Sequence, residues 1–112
     1  MHKIQPDKKY FSMKLVDLIP LKEMYNPAEA FNKKVSRMTD NNDHSSAAVE
    51  LAIYMDDRDA VRKLQQIKRQ HDKDGSISLE DAKKRDKMVD DLLKQAKKSL
   101  TNKDYTLLSN SF

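Results

Sequence analysis

The strongest constraint on the fold is an apolar pattern between residues 79 and 100. Its members recur at alternating steps of three and four residues, which is the spacing of one face of a helix: Leu79, Ala82, Asp86, Val89, Leu93, Ala96 and Leu100. The sequence SLED at its start places Ser78 as a helix cap. The pattern therefore predicts a long amphipathic helix whose seam is buried, in its own domain or against another chain.

Start signals predict two or three shorter helices upstream. Asn26 is suited to cap a helix that has Pro27 in its first turn. The run AAVELAIYM, residues 47–55, is the most apolar in the chain and indicates a central buried helix capped by Asp43 or Ser45. The following segment, DDRDAVRKLQQIKRQ, either continues that helix or begins a new one with an aspartate cap.

Together these patterns predict an all-α fold: a small helical bundle of about four helices that ends in an antiparallel helical hairpin. Residues 1–25 form an apolar N-terminal arm, partly irregular because Pro20 interrupts its apolar pattern. Residues 26–100 form the helical domain. Residues 101–112 form a C-terminal tail, too short and polar for a helix of its own, although Leu108 and its apolar neighbours can pin it to the domain. We expect the arm to pack over the C-terminal end of the long helix, with a homodimer as the alternative.

The residue types present argue against an enzyme. The chain has no cysteine, its three histidines are isolated, and a single glycine cannot build a phosphate-binding glycine loop. We infer no cofactor and no small-molecule substrate. No stretch approaches the ~20 apolar residues of a membrane span, and the start does not resemble a signal peptide. We therefore expect an intracellular, cytoplasmic protein with no membrane partner.

The segment HDKDGSISLED, residues 71–81, resembles a calcium-binding EF-hand loop. With Gly75 at the sixth position of such a loop, four oxygen-bearing residues fall at ligand positions: Asp72, Asp74, Ser78 and Asp81. The first position, however, holds Gln70, and the twelfth holds an aspartate where a longer glutamate is needed. A turn with Gly75 at positive φ explains the segment better, and a degenerate calcium site at 70–81 is the second alternative function.

Charge is distributed unevenly along the chain. Residues 58–112 hold 14 Lys or Arg and 9 Asp or Glu, whereas residues 1–57 hold 8 and 9. The basic face of the C-terminal hairpin is therefore a candidate nucleic-acid surface, formed by Arg58, Arg62, Arg69, Lys83, Lys84 and Lys87. Asp90 and Asp91 interrupt this face, and a solvated helix surface explains the lysines equally well.

The leading functional prediction is a protein–protein interaction module, accessory or regulatory in role. Its partner is another protein or a second copy of the chain, and the residues predicted to bind it lie on the long helix: Leu79, Val89, Leu93 and Leu100. The same spacing is also what an ordinary intramolecular core requires, so both interpretations stay open.

Overall fold

The computed structural model describes residues 25–112, and every regular element within them is a helix. Five helices follow one another along this part of the chain: α1 Pro27–Asp40, α2 His44–Tyr54, α3 Arg58–Asp74, α4 Leu79–Ser99 and α5 Asn102–Ser109. The all-α class is confirmed. The predicted arm lies outside the described residues, apart from Tyr25, which is exposed.

A short polar side chain caps the start of each of these five helices. In every case its oxygen accepts a hydrogen bond from a backbone N–H of the first turn, and the five caps are Asn26, Asp43, Asp57, Ser78 and Thr101. The cap at Asp57 follows Asp56, whose φ of 54° breaks the path of α2. Of the two possibilities for this segment, the structure therefore has the new helix.

The core is organised around α2, which contacts α1, α3 and α4. Small buried residues on α2, including Ala47, Ala48 and Ala52, let the neighbouring helices approach closely. The other helices contribute larger side chains to this core, among them Phe31 of α1, Leu64 and Ile67 of α3, and Leu92 of α4. Within the described residues, no helix combines the length and the apolar character needed to cross a membrane.

The prediction for the C-terminal tail is wrong in one respect, because residues 102–109 form the helix α5. This helix packs against α1 and α4, and Leu108 is completely buried, so the predicted anchoring is confirmed. The side-chain amide of Asn32 donates to the carbonyl of Leu107 over 2.9 Å. An eight-residue helix is unstable alone, and these contacts with α1 and α4 stabilise it.

The other described helices bury the predicted seam of α4 only in part. Leu79 is 72% exposed, and the side chain of Asp86 is 68% exposed. The fully buried residues of α4 are instead Leu92 and Ala96. A heptad pattern drifts by about 20° per repeat around a straight helix, or about 60° between residues 79 and 100, so one flat neighbour cannot cover all of it.

Candidate protein-binding groove

Helices α3 and α4 enclose an open groove, because α3 packs mainly on α2 and touches α4 only sparsely. The main cavity of the groove has a volume of about 640 Å³. Its lining comes from both helices: Lys63, Gln66, Ile67 and Gln70 of α3, and Asp81, Lys84, Lys87, Met88 and Asp91 of α4. The turn at residues 75–78 connects the two helices.

A smaller cavity of about 160 Å³ extends the groove toward the start of α3. Its lining residues are Asp57, Asp59, Ala60, Met88, Asp91, Leu92 and Gln95. Both cavities touch Met88 and Asp91, so they form one continuous groove. At 1.5 Å per helical residue, the stretch from residue 57 to residue 70 makes the groove about 20 Å long.

The floor of the groove is apolar and its walls are polar. Ile67 is 9% exposed and Met88 is partly buried, and both contribute atoms to the cavity surface. Gln66 and Gln70 stand on the α3 wall, opposite the lysines of α4. An apolar centre surrounded by a polar rim is the arrangement that protein-binding surfaces share.

Near the start of α3, the carboxylate of Asp59 in the groove lining is neutralised by two cations of the same helix. Asp59 Oδ2 lies 3.1 Å from Lys63 Nζ, and Asp59 Oδ1 lies 2.6 Å from Arg62 Nη2. The hydrogen bond and charge of Lys63, with a smaller contribution from Arg62, lower the pKa of the Asp59 carboxyl below its usual 3.8. Asp59 is therefore ionised at neutral pH and has its partners within α3.

The lysines on the α4 wall are less engaged. Lys84 Nζ lies 3.5 Å from Glu80 Oε1, and both side chains are exposed. Among residues 25–112, Lys87 has no ion-pair partner. Since an exposed ion pair contributes little, about 0–1 kcal/mol, both ammonium groups are available to a ligand in the groove.

The six residues predicted to bind nucleic acid are all exposed, and two of them line the groove. Lys84 and Lys87 line the groove, together with Lys63, which the sequence had not indicated. The three arginines, Arg58, Arg62 and Arg69, are exposed on α3 and are not among the residues that line the groove. Taking about 100° per residue, Arg62 points about 100° away from Lys63.

The predicted partner-binding residues also separate into two groups. Val89, Leu93 and Leu100 are partly buried and pack against the core, so much of their surface is used within the chain. Leu79 alone is largely exposed, two residues before the groove residue Asp81. The sequence signal for the groove floor was Met88, which widens the apolar stripe of α4 beyond its seam.

The acidic residues of the predicted calcium loop have separate local partners. Asp72 and Asp74 belong to the last turn of α3, where Lys68 and Gln70 donate to their carboxylates over 3.2 and 2.7 Å. Ser78 accepts the N–H of Asp81 as the cap of α4. Gly75 ends α3 at φ 74°, so the predicted turn is confirmed. In the described part of the chain, no three potential ligands from His, Cys, Asp or Glu converge.

A second cavity, of about 380 Å³, lies on the other side of α4 and includes His44, Arg85 and Phe112 in its lining. The Arg85 side chain is only 11% exposed. Its Nη1 donates to Ser45 Oγ over 3.3 Å, and its Nε donates to Asp86 Oδ1 over 3.1 Å. Arg85 thus fastens α4 to the first turn of α2, which is a structural role.

Comparisons with protein-family models, with curated proteins and with solved structures found no match for this chain.

Proposed function

We propose that this protein is a non-enzymatic helical interaction module, accessory or regulatory in role, which holds an amphipathic helix of another protein between α3 and α4. The observation that carries the proposal is the apolar floor of Ile67 and Met88 between two polar walls. A groove of about 20 Å accommodates a helix of about 13 residues, whose apolar side chains at positions i, i+3, i+4 and i+7 enter such a floor.

The chemistry of the lining supports a binding role over a catalytic one. The described side chains that line the groove belong to Lys, Gln, Asp, Ile, Met, Ala and Leu. None of them is a histidine, serine, threonine or cysteine, so this lining lacks the Ser–His and Cys–His pairs of covalent catalysis. Its ionised Asp59 is engaged by Lys63 and Arg62.

Site-specific crosslinking in the cells that produce the protein tests this proposal. A photoreactive amino acid at position 66, on the groove wall, should crosslink to another protein. The same group at position 29, exposed on α1, is the control and should not. Met88→Gln keeps the size of the side chain but makes the floor polar, so it should abolish the crosslink without changing the helix content. Crosslinking that is equal at both positions, or that survives Met88→Gln, would contradict the proposal.

Nucleic-acid binding is the second candidate function. It is favoured by the excess of five positive charges in residues 58–112 and by the exposure of Arg58, Arg62 and Arg69. Binding through phosphates requires an affinity that falls steeply with salt, because counterions are released. The slope of log affinity against log salt concentration reflects the number of phosphates that the protein neutralises. Replacing the three arginines by glutamine should therefore reduce this slope by the contribution of about three phosphate contacts. Absence of DNA and RNA binding at low salt would remove this candidate.

A further inference from the structure

We infer that the partner helix carries two acidic residues at its centre and one basic residue about a turn beyond each of them. The inference rests on the proposed function, because it concerns the ligand of the same groove. It follows from the order of charges along the α4 wall, where Asp81, Lys84, Lys87 and Asp91 all line the main cavity. Their signs are negative, positive, positive and negative.

The spacing of these four residues places them along one side of α4. Steps of three, three and four residues keep side chains on neighbouring parts of a helix surface, with about 5–6 Å between successive Cβ atoms. Lys84 and Lys87 therefore present two cations about one turn apart, and the two carboxylates stand one turn beyond them at either end. A helix lying along this wall meets the four charges in sequence.

The opposite wall leaves the two lysines without a competing carboxylate. On α3, the residues that line the same cavity are Lys63, Ile67 and two glutamines, Gln66 and Gln70. A glutamine amide can donate to a carboxylate as well as accept from a cation, so Gln66 accommodates an acidic ligand, whereas the amide of Gln70 already donates to Asp74. Asp59, an acid of α3 in the adjoining smaller cavity, is already held by Lys63 and Arg62.

The wider surroundings favour the same partner. Residues 58–99 hold 13 Lys or Arg and 8 Asp or Glu, so the two helices that form the groove create a positive field. Such a field accelerates the approach of an acidic surface and disfavours a basic one. The apolar floor at Ile67 and Met88 distinguishes a peptide helix from a nucleic acid, because phosphates gain nothing from an apolar surface.

Two synthetic helical peptides of identical composition test this inference with the full chain. Both carry the same leucine face. The matched peptide has the order Lys, Glu, Glu, Lys at successive turns. The second peptide has the sign of every charge reversed, Glu, Lys, Lys, Glu, and is called the reversed peptide. Exchanging the charges replaces attraction by repulsion at four positions of the α4 wall, where Asp81 is half-buried and the other three residues are exposed. Each exchange is worth little alone. We expect the matched peptide to bind about tenfold more tightly, as measured by fluorescence anisotropy, with the difference shrinking at high salt.

Variants of the protein locate the effect. Lys84→Glu combined with Lys87→Glu makes all four charges of the wall negative. Each peptide then meets two attractive and two repulsive positions, so the preference between the two peptides should be lost. Lys94→Glu combined with Lys98→Glu changes the same charge on exposed residues of α4 outside the groove lining, so it should preserve the order of affinities. Circular dichroism of each variant verifies that the helices are retained.

The outcomes separate the inference from the function on which it rests. Equal affinities, or tighter binding of the reversed peptide, overturn the charge pattern while leaving a peptide-binding groove in place. Failure of both peptides to bind overturns the proposed function as well. A DNA duplex of about 20 base pairs is the third probe: if it displaces the matched peptide at equal concentration and the two peptides bind alike, the groove is a polyanion surface.

Discussion

Replacing Leu108 by alanine tests whether α5 is an integral part of the fold. Leu108 is completely buried where α5 packs against α1 and α4. The substitution removes about three carbon atoms from a closed site and leaves a cavity, since a packed core relaxes only partly. A fully buried Leu→Ala change costs about 2–5 kcal/mol, and we expect about 3 kcal/mol here.

This cost is large compared with the total stability of the domain. A domain of about 90 residues is stable by roughly 5–13 kcal/mol. A loss of about 3 kcal/mol should therefore lower the melting temperature by about 12–24 °C. Because α5 contacts both α1 and α4, the loss should affect the unfolding of the whole helical domain.

Urea denaturation followed by circular dichroism measures this loss. The matched control is Leu79→Ala, the same chemical change on a leucine that is 72% exposed, and it should cost less than about 0.5 kcal/mol. The midpoint of Leu108→Ala should fall clearly below that of Leu79→Ala, with a similar dependence on urea. Equal midpoints for the two variants, or a larger effect at Leu79, would refute the described packing of α5.

Three further predictions concern single positions. Gly75→Ala should destabilise the protein by about 1 kcal/mol, because the backbone of Gly75 has a φ of 74°. The cost is conformational, since no atom lies within 4 Å of an added Cβ. Gly75→Asn should cost less, and an alanine variant with an unchanged melting temperature would contradict this. Calcium should leave the melting temperature unchanged, because the Asp74 carboxylate is hydrogen-bonded within α3; a rise with calcium that Asp74→Ala abolishes would show otherwise. Burial, followed by the charges of Asp104 and Tyr25, raises the pKa of the Tyr54 hydroxyl above its usual 10.0. The neutral Tyr54 hydroxyl therefore contributes fully to the free energy of unfolding below pH 10.0, and this contribution is lost as the pH rises through the raised pKa. An ultraviolet titration should show a tyrosine that ionises at higher pH than the others, and this signal should be missing in Tyr54→Phe.

Local signals in the sequence were sufficient for most helix boundaries. The helix caps act on backbone groups within one turn, as Asn26 does before Pro27 and Ser78 does at the start of α4. Gly75 ends α3 by a backbone conformation that its own residue type permits. Interactions of this range depend on neighbours in the chain, so the amino-acid order alone reveals them. The same reasoning missed α5, although Thr101 and Asp104 provide an equivalent cap, because the propensity of eight residues cannot stabilise a helix without partners.

Only the tertiary structure decided which surfaces are buried and where the groove lies. Heptad spacing placed Leu79 and Leu93 on one seam, yet Leu79 is exposed and Leu92 is buried. Which part of a drifting apolar stripe is covered depends on the neighbouring helices that arrive there. Likewise, the groove exists because α3 packs on α2 and stands off from α4. Such packing depends on residues that lie far apart in the chain and compete for the same surface. Helical periodicity is a property of one segment, so it carries no information about which other helices pack against that segment.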